Sequence, residues 1–288
     1  MAAPHHHTFS AIAQTGFAKG ASYDQHRPSY PPEAVESILQ AAHVAGQPQA
    51  TIVDLAAGTG KFTVLLDARD EQFEVLAVEP HEGMRKELER KELRKVTVKD
   101  GLSTSIPAAD ESVDAVVVAQ AFHWFANEES LKEIHRILKP SGTLAMVWNV
   151  EDYNAPQADS PTTSWEGKVK ALTWTFDDGQ MRYRHGRWRE VFDRQLKATP
   201  LTISAANPLF SLPLGEDQQD WTVWLTKEAL WQRYRTLSQI AILEGEELEK
   251  AHATFTDAVT SADVETNDKG EIAVHGSTRW AWTGKVPV

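Results

Sequence analysis

The sequence contains no cysteine among its 288 residues. This absence excludes disulfide scaffolds, cysteine nucleophiles and metal sites built on thiolates. The chain also lacks any run of about 18 apolar residues, so we expect no segment of it to cross a membrane. No basic segment followed by an apolar one occurs near the N-terminus. We therefore expect no secretory signal and a cytoplasmic location.

Basic residues are the scarcer charges, because 29 lysines and arginines stand against 41 aspartates and glutamates, a net charge of −12. A surface this negative repels phosphate backbones and anionic lipid, so we expect neither a nucleic-acid partner nor a membrane partner. The hydrophobic fraction of 41% is that of an ordinary globular protein. One local cluster of basic residues is an exception to the acidic character, and its members are Arg182, Arg184, Arg187 and Arg189.

Strand-like and helix-like segments alternate along residues 51–148, and this order predicts an α/β fold with a doubly wound, mostly parallel sheet. The predicted strands are Thr51–Leu55, Phe73–Val78, Lys95–Val98, Val113–Ala119 and Thr143–Val147. The predicted helices among them are Lys61–Ala68, Gly83–Lys91 and Glu128–Leu138. Binding sites in such sheets lie beyond the carboxyl ends of the strands.

Three regions are predicted along the chain. Residues 1–50 form an N-terminal lid and helix, residues 51–150 the ligand-binding α/β core, and residues 151–288 a C-terminal cap. No linker rich in glycine, serine or proline separates the cap from the core, so we expect the cap to complete the same fold.

The cap is predicted to be largely helical. Residues Thr226–Ile242 and Glu244–Thr260 are the clearest helical segments. Two alternating segments, Glu271–Val274 and Thr278–Trp282, flank Gly276, and this pattern predicts a terminal β-hairpin.

The strongest local motif is Asp54-Leu55-Ala56-Ala57-Gly58-Thr59-Gly60-Lys61, at a predicted junction between a strand and a helix. Glycine allows a close approach of the backbone to a ligand, and the helix that follows offers free N–H groups. Glu79 follows the next predicted strand, where an acidic residue can accept hydrogen bonds from two ribose hydroxyls. The dinucleotide fingerprint G-x-G-x-x-G is incomplete, because Thr63 stands at its third glycine.

The spacing D-x-A-x-G-x-G from Asp54 to Gly60 resembles motif I of the class I S-adenosylmethionine-dependent methyltransferases. For the turn alone, another nucleotide-binding α/β protein remains an alternative. Later segments strengthen the resemblance over residues 51–148. Gly101–Pro107 looks like the loop that closes over adenine, Asp110–Val117 like the entry to strand four, and Leu138–Leu144 like the L-K-P-G-G segment before strand five.

Two further segments, Tyr23–Pro31 and Ala119–Phe125, resemble a narrower branch of that family. This branch comprises methyltransferase type 11-like proteins similar to trans-aconitate methyltransferase, and the A-x-A-x-H-W-F element is fairly specific to it. The resemblance implies a Rossmann-like fold and S-adenosylmethionine as the cofactor, with S-adenosylhomocysteine as its product.

The resemblance also implies roles for individual residues. Gly58 and Gly60 pass under the methionine part of the cofactor, Asp54 orients the turn, and Glu79 binds the ribose hydroxyls. Arg27 binds a carboxylate as part of a lid. The full set of candidate cofactor-binding residues is Tyr23, Arg27, Asp54, Ala56, Gly58, Gly60, Glu79, Pro80, Leu102, Ser103, Gln120 and Ala121.

His123 is the one candidate catalytic residue. Its imidazole can take a proton from an attacking hydroxyl or amine. Contact with the cofactor or the substrate, and a structural role in a packed loop before Trp124 and Phe125, are the two alternatives.

The leading prediction is an enzyme that methylates a small-molecule acceptor at oxygen, nitrogen or sulfur without a metal. A non-catalytic cofactor-binding protein is the alternative, and a dinucleotide-dependent dehydrogenase is disfavoured by the missing glycine. We expect a monomer or homodimer. An anionic acceptor needs its own cation, and the candidates are Arg182, Arg184 and Arg187.

Overall fold

The computed structural model describes residues 27–196 and 208–287. Its strands are β1 (Thr51–Leu55), β2 (Glu74–Val78), β3 (Val96–Lys99), β4 (Val113–Ala119), β5 (Leu138–Glu151), β6 (Gly215–Leu225) and β7 (Ile272–Gly284). They form one sheet in the order β3-β2-β1-β4-β5-β7-β6. Strands β1 to β5 are parallel, whereas β7 is antiparallel to both of its neighbours. This topology confirms the predicted doubly wound α/β fold class.

The helices are α1 (Pro32–Ala41), α2 (Lys61–Asp67), α3 (Glu82–Glu89), α4 (Glu128–Ile137), α5 (Ser164–Thr175), α6 (Glu190–Leu196), α7 (Lys227–Tyr234), α8 (Ser238–Ala241) and α9 (Gly245–Val259). None of the helices within the described ranges is long and apolar enough to cross a bilayer. The segment predicted as one helix, Thr226–Ile242, is divided into α7 and α8. Between these two helices the Thr236 hydroxyl donates to the carbonyl of Arg233, a local bond of the kind that competes with helix continuation.

The two faces of the sheet bury separate hydrophobic clusters. Strand β4 shows this most directly, because Val116 and Val118 belong to one cluster while Ala115 and Val117 belong to the other. A strand buried on both faces has no polar face, which explains the nearly unbroken apolar run in its sequence. A third cluster fills the cap, where α5, α7 and α9 bury side chains that include Trp165, Tyr234 and Phe255.

The predicted terminal hairpin is wrong. Its two segments form the single strand β7, which pairs with β5 on one side and with β6 on the other. Gly276 lies within this strand, and a Cβ atom there would meet the Trp221 ring at 2.5 Å and the Val150 carbonyl at 2.6 Å. The glycine therefore makes room for a neighbouring ring rather than for a turn. The alternation identified the strand, but its partners are remote in sequence.

Candidate functional site

The turn after β1 has three residues with positive φ, namely Ala56 at 59°, Gly58 at 58° and Gly60 at 84°. A Cβ atom on Gly60 would lie 2.2 Å from the Leu88 side chain. Glycine is thus required at Gly60 by both its backbone conformation and its neighbour. Ala56 adopts a left-handed conformation that costs an alanine roughly 1 kcal/mol.

Asp54 connects this turn to α2. Its side chain is fully buried, and its Oδ2 accepts a hydrogen bond of 2.6 Å from the Thr63 hydroxyl. Burial raises the pKa of the Asp54 carboxyl to about 7, and the nearby Glu79 carboxylate adds to the increase. The residue at the third position of the dinucleotide fingerprint is therefore a partner of the buried acid.

Glu79 follows β2 and is 4% exposed. Its Oε2 accepts from the backbone N–H of Gly58 at 2.9 Å, and its Oε1 accepts from that of His81 at 2.8 Å. Burial raises the pKa of Glu79, while these two bonds and Arg85 act in the opposite direction. The glycine turn and the acid, which are separate in the sequence, are therefore in direct contact.

A cleft lies beyond the carboxyl ends of β1, β2 and β4, and we call it the large cleft. It encloses about 790 Å³, part of it open to solvent, which falls within the usual range of ligand pockets of roughly 300–1,000 Å³. Its lining residues are Arg27, Pro28, Tyr30, Ala56, Ala57, Gly58, Thr59, Lys61, Phe62, Glu79, Met84, Ala119, Gln120, Ala121, Trp124 and Phe125. Six of the predicted cofactor-binding residues are among them.

Other predicted residues do not line the large cleft. Asp54 lies in β1 before the turn, and Gly60 lies directly before α2. The Pro80 carbonyl accepts from Arg85 at 2.6 Å, Leu102 is 41% exposed, and the Ser103 hydroxyl accepts from Ser130 at 2.9 Å. Their predicted roles beside a cofactor stay predictions, and Tyr23 lies outside the described residues.

Sequence reasoning assigned no cofactor role to Trp124, Phe125 and Met84, which also line the large cleft. The available signal for the two aromatic residues was their position just beyond β4. Met84 gives no such signal, because it reaches the cleft through the packing of α3 beside Gly58, where its sulfur would lie 3.8 Å from an added Cβ atom.

A second cleft, which we call the adjoining cleft, shares Arg27, Gln120 and Trp124 with the large cleft. It encloses about 600 Å³, including space open to solvent. Its other lining residues are His123, Asn149, Val150, Asn154, Arg182, Tyr183, Arg184, Thr236, Leu237, Ser238 and Gln239. The segments involved come from the sheet and from the cap.

Hydrogen bonds connect these segments at the boundary of the two clefts. The Gln120 amide donates to the Asn149 carbonyl at 2.9 Å, and Asn149 Nδ2 donates to the Ser29 carbonyl at 3.1 Å. Asn149 Oδ1 accepts from the Thr278 hydroxyl at 2.6 Å. Arg27 donates to the Thr236 carbonyl at 3.0 Å. The boundary is therefore held by partners from the N-terminal segment, β5, β7 and the cap.

His123 is buried beside this boundary, and its Nδ1 lies 3.2 Å from Trp148 Nε1. An indole N–H only donates, so Nδ1 accepts and the neutral ring carries its hydrogen on Nε2. Burial lowers the pKa of His123 to about 3, and the positive charge of Arg182 contributes further. The ring is thus a neutral hydrogen-bond donor at pH 7.

The basic cluster seen in the sequence is divided in space. Arg182 and Arg184 are buried and line the adjoining cleft. Arg187 does not line it, and its side chain is 56% exposed and lies 3.6 Å from Glu190. Arg189 pairs with Glu216. Of the three arginines predicted for an anionic acceptor, two line the adjoining cleft, and their role toward an acceptor stays a prediction.

Comparisons with known proteins identify relatives. A family model described as a methyltransferase domain matches residues 53–146. An uncharacterized methyltransferase of Schizosaccharomyces pombe is 43% identical over 136 residues, which are 47% of this chain and 53% of that protein. An uncharacterized methyltransferase of Mycobacterium tuberculosis is 35% identical over 215 residues, which are 75% of this chain and 72% of that protein.

The fold also matches solved structures. The crystal structure of the YcgJ protein from Bacillus subtilis has a TM-score of 0.52 and 16% sequence identity, and the match covers 88% of this chain and 99% of that chain. This likeness shows the fold. The chain spans about half the length of the S. pombe relative described above.

Proposed function

The chain belongs to the class I S-adenosylmethionine-dependent methyltransferases, and from this membership we propose that it methylates a small-molecule acceptor bound in the adjoining cleft. S-adenosylmethionine is the cofactor, and it supplies an electrophilic methyl group on a positively charged sulfur. The observation that carries the proposal is the shared boundary of the two clefts at Arg27, Gln120 and Trp124. Two ligands that meet there are held in place for in-line transfer.

The residues of the large cleft fit this cofactor. The turn at Gly58 leaves the backbone exposed to the cleft, and Glu79 lines the cleft with carboxylate oxygens that retain lone pairs for ribose hydroxyls. Gln120 lies at the boundary and Ala121 lines the large cleft beside it, and the methyl group of a bound cofactor would lie there. The aromatic rings of Trp124 and Phe125 exclude water from this position.

The acceptor atom that this lining favours is a carboxylate oxygen. No aspartate or glutamate occurs among the described residues that line the adjoining cleft. His123 is a poor base, because its pKa is about 3 and its Nδ1 accepts from Trp148. An acceptor that arrives already ionised needs no base, and carboxylates are ionised at pH 7.

The step then balances without a proton transfer. A carboxylate held at the boundary beside Gln120 would form a bond from one oxygen to the methyl carbon that the bound cofactor supplies, and the cofactor would leave with the electron pair of the broken carbon–sulfur bond. The products are a methyl ester and S-adenosylhomocysteine. His123 donates a hydrogen bond from Nε2 and takes no proton. The cytoplasmic location and the monomeric or dimeric state remain predictions from the sequence.

Methyl-labelled S-adenosylmethionine tests this proposal when the protein is incubated with a panel of small organic acids, alcohols, amines and thiols. We expect label in the acids only, and mild alkali should release it as methanol, because methyl esters hydrolyse there. Label that alkali does not release would contradict carboxylate methylation. The Glu79→Ala variant, with its weakened cofactor binding, is the matched control for label that is transferred without the site.

A further inference from the structure

Arg184 is a buried cation in the wall of the adjoining cleft. It is 3% exposed, and its Nη1 donates to Asn154 Oδ1 at 3.2 Å. Its guanidinium lies over the ring of Trp174, 4.8 Å from the centroid. The Nη2 atom is buried and has no hydrogen-bond partner in the described protein. A buried donor without a partner is costly, and a bound ligand is one way to satisfy it.

The acidic residues nearest to Arg184 have other partners. Asp178 forms a two-point ion pair with Arg182, with a distance of 2.8 Å between Arg182 Nη2 and Asp178 Oδ2. Asp177 lies 3.4 Å from His185 Nε2. Burial lowers the pKa of Arg184 to about 10, and the charge of Arg182 contributes to the decrease. Asp177 and Asp178 attract Arg184 only from a distance.

The position of Arg184 separates it from the methyl transfer itself. Arg184 lines the adjoining cleft together with Asn154, Tyr183 and Gln239, but it does not line the large cleft. The acceptor oxygen must lie at the shared boundary, on the side of Gln120. A second group of the same acceptor can therefore reach Arg184 while the first group meets the cofactor.

We infer that Arg184 is a specificity-determining residue, which binds a second anionic group of the acceptor, a carboxylate or a phosphate, through its Nη2 atom. This inference rests on the proposed function, since it concerns the acceptor of that same site. The acceptor then carries two acidic groups, one of which is methylated at the boundary and one of which stays ionised at Arg184. A guanidinium suits either anion because its N–H groups match their oxygen atoms.

A series of ligands tests the inference by calorimetric titration of the full chain saturated with S-adenosylhomocysteine. The probes are the dicarboxylates from malonate to adipate, their monoamides, and 3-phosphonopropionate as the phosphate-like arm. We expect at least one dianion to bind about tenfold more tightly than its monoamide, because a charge-assisted hydrogen bond contributes about that much. The arm that binds more tightly identifies the kind of anion.

Variants assign the effect to Arg184. Arg184→Gln should remove the preference for the dianion and still bind the monoamide. Arg187→Gln is the matched control, with the same substitution on an exposed arginine nearby, and should keep the preference. If melting shows that Arg184→Gln is unfolded, Arg184→Lys keeps the charge without the planar donor pair. It should then retain a reduced preference for the dianion.

Two outcomes of the titrations would overturn the inference. One is a folded Arg184→Gln or Arg184→Lys variant with an unchanged preference for the dianion, and the other is a wild-type protein without any preference across the series. Ester formation with equal KM in wild type and Arg184→Gln would also exclude this role while leaving the proposed function intact. Preference for the dianion without any methyl transfer would keep the anion-binding role of Arg184 and exclude the proposed function.

Discussion

The two clefts are built in different ways. The large cleft is formed by short segments that each follow one strand, with Ala56 to Gly58 after β1, Glu79 after β2 and Gln120 after β4. The adjoining cleft combines Asn149 at the end of β5 with cap residues as distant in sequence as Arg184 and Gln239. Local motifs after three strands thus supply the centre of the large cleft, with Arg27, Pro28 and Tyr30 added from the N-terminal segment, whereas the adjoining cleft exists only when the cap is packed on the sheet.

Gly60→Ala should have the largest effect, because the turn that forms the large cleft depends on the backbone conformation of Gly60. A methyl group there would meet the Leu88 side chain at 2.2 Å, and the φ angle of 84° is unfavourable for alanine. We expect a loss of about 2–4 kcal/mol in the free energy of unfolding. Denaturant titration measures it. Leu88 is buried, so Leu88→Ala is destabilising by itself. Gly60→Ala should cost less in the Leu88→Ala background than in the wild type, and an equal cost in both would show that the clash with Leu88 is not the cause.

Glu79→Ala should weaken binding in the large cleft without affecting anion binding in the adjoining one. Loss of hydrogen bonds to a charged group costs roughly 1.5–3 kcal/mol each, so affinity for S-adenosylmethionine should fall at least tenfold. Glu82→Ala removes an exposed carboxylate at the start of α3 and is the matched control. An unchanged dissociation constant in a folded Glu79→Ala variant would disprove the ribose-binding role.

His123 provides a pH test specific to the adjoining cleft. Its pKa is about 3 in the folded protein, below the ordinary value of 6.5, so it stabilises the fold above pH 6.5 and loses this contribution as the pH falls toward 3. Between pH 7 and pH 5 the loss is about 2 kcal/mol. The free energy of unfolding of His123→Asn, measured by denaturant titration at each pH, should therefore depend less on pH than that of the wild type. The same pH dependence in both proteins would contradict burial of a neutral ring.

The same variant tests the chemistry. Without a general base, the turnover of an identified acid should be flat from pH 6 to pH 8, and His123→Asn should change kcat by less than about tenfold. A general base would contribute about 10²–10⁴-fold. A loss of that size at constant KM, with a rate that rises through a pKa near 6–7 in the wild type, would show that the acceptor requires deprotonation.

Ala56→Gly should have the smallest effect and the opposite sign. Ala56 has a φ angle of 59°, where glycine avoids the strain but loses more conformational entropy on folding. We expect a gain of about 0.5–1 kcal/mol in the free energy of unfolding, measured by denaturant titration. A loss of stability would indicate that the methyl group of Ala56 makes contacts more favourable than its backbone strain.

The same contrast explains what could be predicted from the sequence. The run from Val113 to Ala119 and the turn at Gly58 are local patterns, so the strand, the parallel sheet and six residues of the large cleft were predictable. The single strand β7 was not, because its register with β5 and β6 depends on residues more than 40 positions away. The Nδ1 partner of His123 was not predictable either, since Trp148 reaches it only through the packing of neighbouring strands.

Strand β7 also determines the order in which the molecule can be assembled. In the sheet, β6 pairs with β7 alone, and β7 lies between β6 and β5. During synthesis β6 therefore emerges from the ribosome well before β7, and until β7 follows, the backbone N–H and C=O groups of β6 have no strand to pair with. Likewise, Asn149 Oδ1 gains the hydrogen bond from the Thr278 hydroxyl only after β7 has been synthesised. The five parallel strands can pair early, as N-terminal segments do, whereas the acceptor side is completed late.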